Sequence, residues 1–294
     1  MAVEGHERAR PEVSYVKSER QVARERYRRS RTLRSAGIAG GSSLIVVVAL
    51  VVGIVSSPGW QRVRETFFSW EYAKESFPSI LEGLWLNIRL LIFCGAVILA
   101  FGLLLALLRT LRGPVFFPLR ALATIYTDLF RGLPVIITLL LMVYGVPALR
   151  LTGVTNNPIY LGGAALVLTY SAYVAEVFRA GIESVHPSQR AAARSLGLNW
   201  RLTMRYVVLP QAVRRVVPPL LNDLVSLQKD TGLVSIAGAV DAVYAAQIFT
   251  GQTFNYTSYV VAGLVFVALT IPMTRLTDWV TARMNRRQSQ GGVV

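Results

Sequence analysis

The sequence predicts an all-α protein that crosses a membrane several times. Hydrophobic residues make up 53% of the 294-residue chain and charged residues only 16%, which is too apolar for an ordinary soluble domain. Five stretches contain no charged residue, and most reach the roughly 20 residues that a helix needs to cross a bilayer; they are 36–61, 90–108, 132–149, 151–175 and 242–274. Hydrocarbon cannot satisfy open backbone groups, and these stretches lack the alternation of barrel strands, so helices are expected.

The net charge of +15 does not require a nucleic-acid partner, because Lys and Arg concentrate in the cytoplasmic connections of membrane proteins. The single cysteine, Cys94, excludes an intramolecular disulfide, and we expect it to be a small buried residue. The two histidines, His6 and His186, form no pattern of metal ligands, so no metal site is expected.

Residues 1–35 form a basic segment with ten Lys or Arg and five Glu residues. A signal peptide has a shorter basic start, so we predict a cytoplasmic arm that is disordered or a frayed helix. Two roles stay open for this arm. Its arginines contact anionic lipid head groups, or they only fix the orientation of the chain.

Six spans account for the rest of the chain, near 36–56, 80–108, 120–145, 160–182, 217–240 and 257–280. Connections rich and poor in Lys and Arg alternate between them. For example, 179–216 contains seven arginines, whereas 241–256 contains neither Lys nor Arg. Because basic connections face the cytoplasm, this alternation predicts that both termini are cytoplasmic.

Charged residues mark the third and fourth spans. Asp128 and Arg131 are three residues apart, as are Glu176 and Arg179, so each pair can share one helix face. These charges either neutralise each other or belong to a translocation path. Pro134 lacks a backbone donor and is expected to kink the third span.

The fifth span is polar enough for a hydropathy search to miss it, because it contains Asn222, Asp223, Gln228, Lys229 and Asp230. The alternation of charge nevertheless requires a crossing here. We predict an interrupted helix beside a water-filled path, with Asp230 and Thr231 at the start of a new helix.

Residues 187–210 predict two short helices at an angle. Pro187 suits a first helical turn, Gly197 a left-handed stop and Asn199 the cap of a second helix. On that second helix Trp200, Met204, Val207 and Val208 are expected to share one side, and Pro210 to limit its length. The residues alone leave a docking element for a cytoplasmic partner, an amphipathic hairpin on lipid and a plain connector open. DNA binding is disfavoured because spans tether both ends.

The same loop resembles the EAA loop of ABC-importer permeases, whose pattern is Glu-Ala-Ala, three residues, Gly, nine residues, Ile, one residue, Leu-Pro. This chain has Ala191, Ala192 and Ala193, then Gly197, Val207, Leu209 and Pro210 at the matching spacings. Ala191 replaces the Glu of the pattern, and Val207 replaces the Ile.

Three further stretches resemble the polar amino acid permease subfamily: LFRGLPV at 129–135, EVFRAGIESVHPSQ at 176–189 and LQKDTGLVS at 227–235. The resemblance covers about residues 80–283. It implies an ABC transporter transmembrane type-1 domain there, preceded by the arm (1–35) and an additional transmembrane helix with an extracytoplasmic loop (36–79), and followed by a cytoplasmic tail (284–294).

The resemblance implies a permease that imports a polar L-amino acid, with glutamate, aspartate or glutamine as candidates, across a prokaryotic-type plasma membrane. The implied partners are a cytoplasmic ATPase dimer, a second identical or homologous permease, an extracytoplasmic amino acid-binding protein and membrane lipid. The chain lacks a Gly-x-x-x-x-Gly-Lys-Ser/Thr loop, so ATP and Mg are expected on the partner ATPase.

The resemblance also assigns roles to individual residues. In the docking helix Ala192, Ala193 and Leu196 are expected to enter the ATPase cleft, with Arg190 and Arg194 at its rim. Arg131, Lys229 and Asp230 are the candidates for the translocation path.

Two other functions stay open from the residues. A secondary transporter driven by an ion gradient would use Glu176 or Asp230 for coupling, and a membrane scaffold would recruit partners through the basic arm.

Overall fold

The computed structural model describes residues 18–111 and 113–290, and every regular element in these ranges is helical. The α-helices are α1 Glu19–Val55, α2 Trp60–Phe67, α3 Trp70–Thr110, α4 Phe117–Gly132, α5 Val135–Leu140, α6 Val146–Ala148, α7 Pro158–Glu183, α8 Pro187–Ser195, α9 Trp200–Thr203, α10 Leu209–Asp230, α11 Ala242–Thr253 and α12 Thr257–Gln290. In this part of the chain four helices can cross a membrane by length and composition, or six if each of two bent pairs is one span. The all-α polytopic class is therefore confirmed.

The chain divides after Val63 into two compact units. In the first unit α1 begins with a capping box, in which Ser18 and Gln21 each accept a backbone hydrogen bond from the other. Residues 34–55 are its candidate span, and their side chains are exposed within the unit. The basic arm is therefore helical and continuous with the span from Glu19 onward; residues 1–17 lie outside the described part.

The second unit contains α3 at its centre. This helix begins at Trp70, well before the predicted start near residue 80, so the predicted extracytoplasmic loop largely consists of α2 and the first turns of α3. The predicted span 160–182 corresponds to α7. The last helix, α12, continues past residue 280 into the predicted tail, of which 291–294 lie outside the described residues.

The third span is broken rather than kinked. Helix α4 ends at Gly132, α5 begins at Val135, and the two axes differ by 106°. Leu133 precedes Pro134 and has an extended backbone with φ −87° and ψ 132°, which is the conformation that a following proline favours.

The fifth span corrects the predicted break. Helix α10 ends at Asp230 and passes into a 3-10 segment, so Asp230 and Thr231 do not begin an α-helix. The helix restarts at Ala242, where the Asp241 carboxylate accepts a hydrogen bond of 2.8 Å from the Tyr244 N–H. Helix α11 therefore occupies the segment predicted as a connection at 241–256.

The N-terminal half of α3 packs closely against the start of α11. A Cβ atom on Gly83 would lie 2.4 Å from the Ala242 backbone nitrogen, so only glycine permits this approach. The buried amide of Asn87 donates to the Asp241 carboxylate at 3.0 Å and accepts from the Ala242 N–H at 3.2 Å. Small residues and interhelical hydrogen bonds of this kind hold helices together in lipid, where apolar burial drives little association.

Candidate functional site

Helix α8 begins at Pro187 because the side chain of His186 caps it. The Nδ1 atom of His186 accepts the Ser188 N–H at 3.2 Å, and Pro187 has no N–H that would need a partner at this position. The predicted start of the 187–210 loop thus has the expected form.

The turn between α8 and α9 depends on Gly197, which has φ +84°. The Leu198 N–H donates to the Ala193 carbonyl at 3.1 Å, and the Gly197 N–H donates to the Arg194 carbonyl at 2.9 Å. This pattern closes a helix with a left-handed residue. Space is not the constraint, because a Cβ atom on Gly197 would meet nothing within 4 Å.

The second helix of the loop is longer than predicted. Asn199 caps α9, and its Oδ1 atom accepts the Leu202 N–H at 3.0 Å. The backbone then widens into a π-helical segment, Met204–Val208, and continues into α10. Pro210 therefore does not end the helix, because it lies in the first turn of α10, directly after the wider segment.

The π-helical segment also separates residues that were predicted to share a face. Trp200 is 70% exposed, whereas Val208 is only 1% exposed; Met204 and Val207 are half-buried. Leu196 is 82% exposed on the other side of the turn. The loop therefore exposes several large apolar side chains, of which Leu196 and Trp200 are the most exposed.

Two residues assigned to the docking surface lie elsewhere. Ala193 is buried at 4% exposure, so it supports the fold of the loop and cannot enter a partner's cleft. The Arg190 guanidinium is half-buried and donates to the Ile182 carbonyl, which ties α8 to the end of α7. The remaining assigned residues are exposed: Ala191, Ala192, Arg194, Leu196, Gly197, Leu209 and Pro210.

The carboxylate of Glu176, near the end of α7, lies at the centre of a group of charges. It accepts from Arg109 Nη1 at 2.9 Å, forms an ion pair with Arg179, and lies 3.8 Å from Arg131 Nη1. Arg179 also pairs with Glu183. We call these five residues the Glu176 cluster. The cluster joins the end of α3, the end of α4 and the last turns of α7, which end just before the 187–210 loop begins.

The predicted pairing of Asp128 with Arg131 is not formed. Asp128 is exposed and makes no ion pair with any residue that the structure describes, whereas Arg131 turns towards Glu176. Sequence spacing put both on one helix face, but the break after Gly132 places Arg131 at the last turn of α4, where α7 is within reach.

The path candidates on α10 are also not paired with each other. Asp230 accepts a hydrogen bond of 2.8 Å from the Tyr170 hydroxyl, while Lys229 is exposed. No ion pair joins Lys229 to Asp230 in the described ranges. Arg131 is also exposed and Asp230 is half-buried, and these two are not ion-paired with each other in the described ranges.

Asp223 lines an apolar cavity of about 220 Å³ between α3, α7 and α10. Its Oδ2 atom is buried without a hydrogen-bond partner in the described structure. Sequence reasoning noted Asp223 only as a polar residue of the fifth span. It missed Arg109 as a partner of Glu176, because the two residues are 67 positions apart in the sequence.

Residues 98–287 match the family described as the inner membrane component of binding-protein-dependent transport systems. The arginine transport system permease protein ArtQ of Bacillus subtilis (strain 168) is 31% identical over 198 residues, which cover 67% of this chain and 88% of that protein. The probable glutamine ABC transporter permease protein GlnM of the same strain is 29% identical over 72% of this chain and 96% of that protein.

Two kinds of solved structure share this fold. One is described as an amino acid ABC transporter with histidines; it is 31% identical, with a TM-score of 0.65, over 70% of this chain and 94% of that chain. The inward-facing methionine ABC transporter MetNI is 20% identical with a TM-score of 0.55, over 70% of this chain and 95% of that chain, and it supports the fold alone.

Proposed function

Because the chain belongs to the family of inner membrane components of binding-protein-dependent transport systems, we propose that it is the permease subunit of an ATP-driven importer of a polar amino acid. The observation that carries this proposal is the 187–210 loop. Two short helices meet at a left-handed Gly197 and present Leu196 and Trp200 outward. An exposed tryptophan such as Trp200 is a typical anchor of protein–protein contacts.

The loop is suited to transmit motion because it is fixed at both ends. Arg190 donates to the Ile182 carbonyl, and Arg215 of α10 donates to the Ser184 carbonyl. A displacement of α8 by a partner therefore moves the ends of α7 and α10 together. This supports a role in which ATP-driven closure of a cytoplasmic ATPase dimer switches the pathway between two openings.

ATP hydrolysis is assigned to that separate subunit, which would hold the nucleotide and Mg. The chain contains no Gly-x-x-x-x-Gly-Lys-Ser/Thr sequence with which to bind phosphates itself. The other proposed partners are a second permease, identical or homologous, and an extracytoplasmic amino acid-binding protein. The proposed location is the prokaryotic cell membrane.

The proposed substrate is a polar L-amino acid. Glutamate, aspartate and glutamine come from the sequence resemblance, and two of the similar proteins are named for arginine and glutamine. A zwitterion requires charges of both signs along its path, and Arg131, Lys229 and Asp230 supply them. A guanidinium such as Arg131 can bind a substrate carboxylate through two hydrogen bonds.

Transport in proteoliposomes tests the proposal. The chain is reconstituted with its ATPase and binding protein, and uptake of a labelled amino acid is measured with and without internal ATP while ionophores collapse ion gradients. ATP-dependent uptake is expected. Uptake that continues without ATP and stops when the gradients are collapsed would establish a secondary transporter instead.

A further inference from the structure

A concave surface of the molecule lies where the end of α3, the start of α4 and the end of α7 meet. Its volume is about 460 Å³. The lining residues are Arg109, Phe117, Arg120, Ala121, Thr124, Ile125, Arg179 and Glu183. We call this surface the arginine pocket.

The arginine pocket is electropositive. It receives guanidinium groups from three helices, and only two of these are neutralised: Arg109 pairs with Glu176, and Arg179 pairs with Glu176 and Glu183. Arg120 pairs with no carboxylate among the described residues. Three arginines against two glutamates leave a formal charge of 3 − 2 = +1.

Arg120 is held in place without being neutralised. Its Nη1 atom donates to the Leu111 carbonyl at 3.1 Å, and its guanidinium carbon lies 5.7 Å from the centre of the Phe117 ring. A guanidinium has five N–H donors in a rigid fork that matches a phosphate. The remaining donors of Arg120 are therefore available to an anion in the pocket.

An apolar stripe adjoins the pocket along α4. Ile125 belongs to both, and Leu122 and Leu129 lie on the same side of the helix at spacings of three and four residues. These three side chains are 63%, 64% and 53% exposed, respectively. A free phosphate would need only the arginines, whereas a phospholipid would use both the arginines and the stripe.

We propose that the arginine pocket binds the head group of an anionic phospholipid, with its phosphate at Arg120 and an acyl chain along Leu122, Ile125 and Leu129. Basic concavities between transmembrane helices are where such head groups bind. The lipid phosphate supplies the anionic partner that Arg120 lacks among the described residues. A bound lipid would hold the ends of α3, α4 and α7 together.

Thermal unfolding of the purified full-length protein in detergent tests this proposal, because a ligand of the folded state raises Tm. The probes are dioleoylphosphatidylglycerol, dioleoylphosphatidylcholine and sodium phosphate. We expect the anionic lipid alone to raise Tm. Arg120→Gln should weaken its apparent affinity about tenfold, which corresponds to the loss of one charge-assisted hydrogen bond, and Arg120→Lys should retain part of it. The matched control is Arg150→Gln, since Arg150 is exposed on the connection between α6 and α7.

Three results would overturn the proposal. The first is equal stabilisation by both lipids, and the second is an unchanged affinity in Arg120→Gln. The third is stabilisation by millimolar phosphate that also displaces the lipid, which would identify a free-phosphate site. If Arg120→Gln does not fold, Leu122→Asn takes its place in the Tm measurements with the same lipids. Native mass spectrometry then identifies the lipid retained by the unaltered protein. The absence of any preference for the anionic lipid refutes the site.

Discussion

Gly197 is the residue whose backbone sets the angle of the 187–210 loop, and its replacement isolates conformation from packing. In Gly197→Ala the new Cβ meets no neighbour within 4 Å, but a left-handed residue with a side chain costs about 1–2 kcal/mol. We expect the apparent affinity for the ATPase to fall about 5–30-fold while the protein still folds. Co-purification and ATP-dependent uptake measure this.

The control for Gly197→Ala is Gly263→Ala, because Gly263 also has open space around it but lies inside α12, six residues after its first residue. A helical alanine is favoured over glycine, so this variant should bind the ATPase normally. If Gly197→Ala binds and transports as well as Gly263→Ala, the left-handed turn has no role in coupling.

Trp200 was predicted to share one side of its helix with Val208, but its exposure is very different from that of Val208. Because Trp200 is 70% exposed, Trp200→Ala should change the free energy of unfolding by no more than about 0.5 kcal/mol. As an interface anchor it should instead weaken ATPase binding about 30-fold or more, the effect of about 2 kcal/mol.

Trp70→Ala is the matched control, since Trp70 is 81% exposed at the start of α3. Pull-down of the ATPase from solubilised membranes compares the two variants. Equal retention of the ATPase by Trp200→Ala and Trp70→Ala would contradict the docking surface.

At the level of helices, the Glu176 cluster connects α3, α4 and α7. Glu176→Gln leaves the partly buried guanidinium group of Arg109 without its carboxylate, while Arg179 keeps only its pair with Glu183. We expect a loss of about 2 kcal/mol or more in unfolding free energy, because leaving one member of a buried ion pair unpaired is costly. Thermal unfolding in detergent measures the change.

An exposed pair provides the control for this cluster. Arg275 and Asp278 are 3.8 Å apart, with side chains 81% and 63% exposed, and such a pair contributes about 0–1 kcal/mol. Asp278→Asn should therefore change Tm little. Comparable losses in Asp278→Asn and Glu176→Gln would show that the cluster does not stabilise the helix packing.

The contact between α3 and α11 gives a second prediction at this level. Gly83→Ala places a Cβ atom 2.4 Å from the Ala242 nitrogen, and backbone cannot yield as a flexible side chain can. We expect α11 to be displaced and the protein to be lost from the membrane fraction or to unfold several degrees lower. Native expression and an unchanged Tm in Gly83→Ala would show that the helices do not pack this closely.

The helices show where sequence reasoning succeeds and where it stops. Long charge-free stretches such as 151–175 identify spans directly, because a bilayer requires both the length and the apolar composition. Helix α11 was missed since counting Lys and Arg detects sidedness, not a short helix between two spans. The π-helical segment at Met204–Val208 was also not predictable from the sequence, and it lies between the exposed Trp200 and the buried end of the segment at Val208.

For the whole molecule, the distribution of basic residues predicts the topology. Reporter cysteines can test it on a Cys94→Ser background, because Cys94 is the single cysteine and is 1% exposed. An impermeant maleimide should label Val154→Cys from outside intact cells and Ser195→Cys only after the cells are opened. Labelling of Ser195→Cys in intact cells would place the 187–210 loop outside and exclude contact with a cytoplasmic ATPase.

The function of the whole molecule was predictable because residues 187–210 resemble the EAA loop of ABC-importer permeases in spacing and residue type. The family, the helical class and the left-handed Gly197 all follow from residues that have few physical alternatives. The roles of Ala193 and Arg190 did not follow, because burial and the Ile182 carbonyl depend on how α8 folds back on α7.

Helical segments follow one another without a break from Trp200 through α10 to Ala237, and they carry both the exposed Trp200 and the carboxylates of Asp223 and Asp230. Equilibrium linkage makes such a connection symmetrical: if the nucleotide state at one end changes the affinity for cargo at the other, cargo changes the affinity for nucleotide by the same factor. An amino acid bound near these carboxylates would therefore change the affinity of the ATPase for nucleotide as well as being transported. These helical segments would carry that effect to the ATPase.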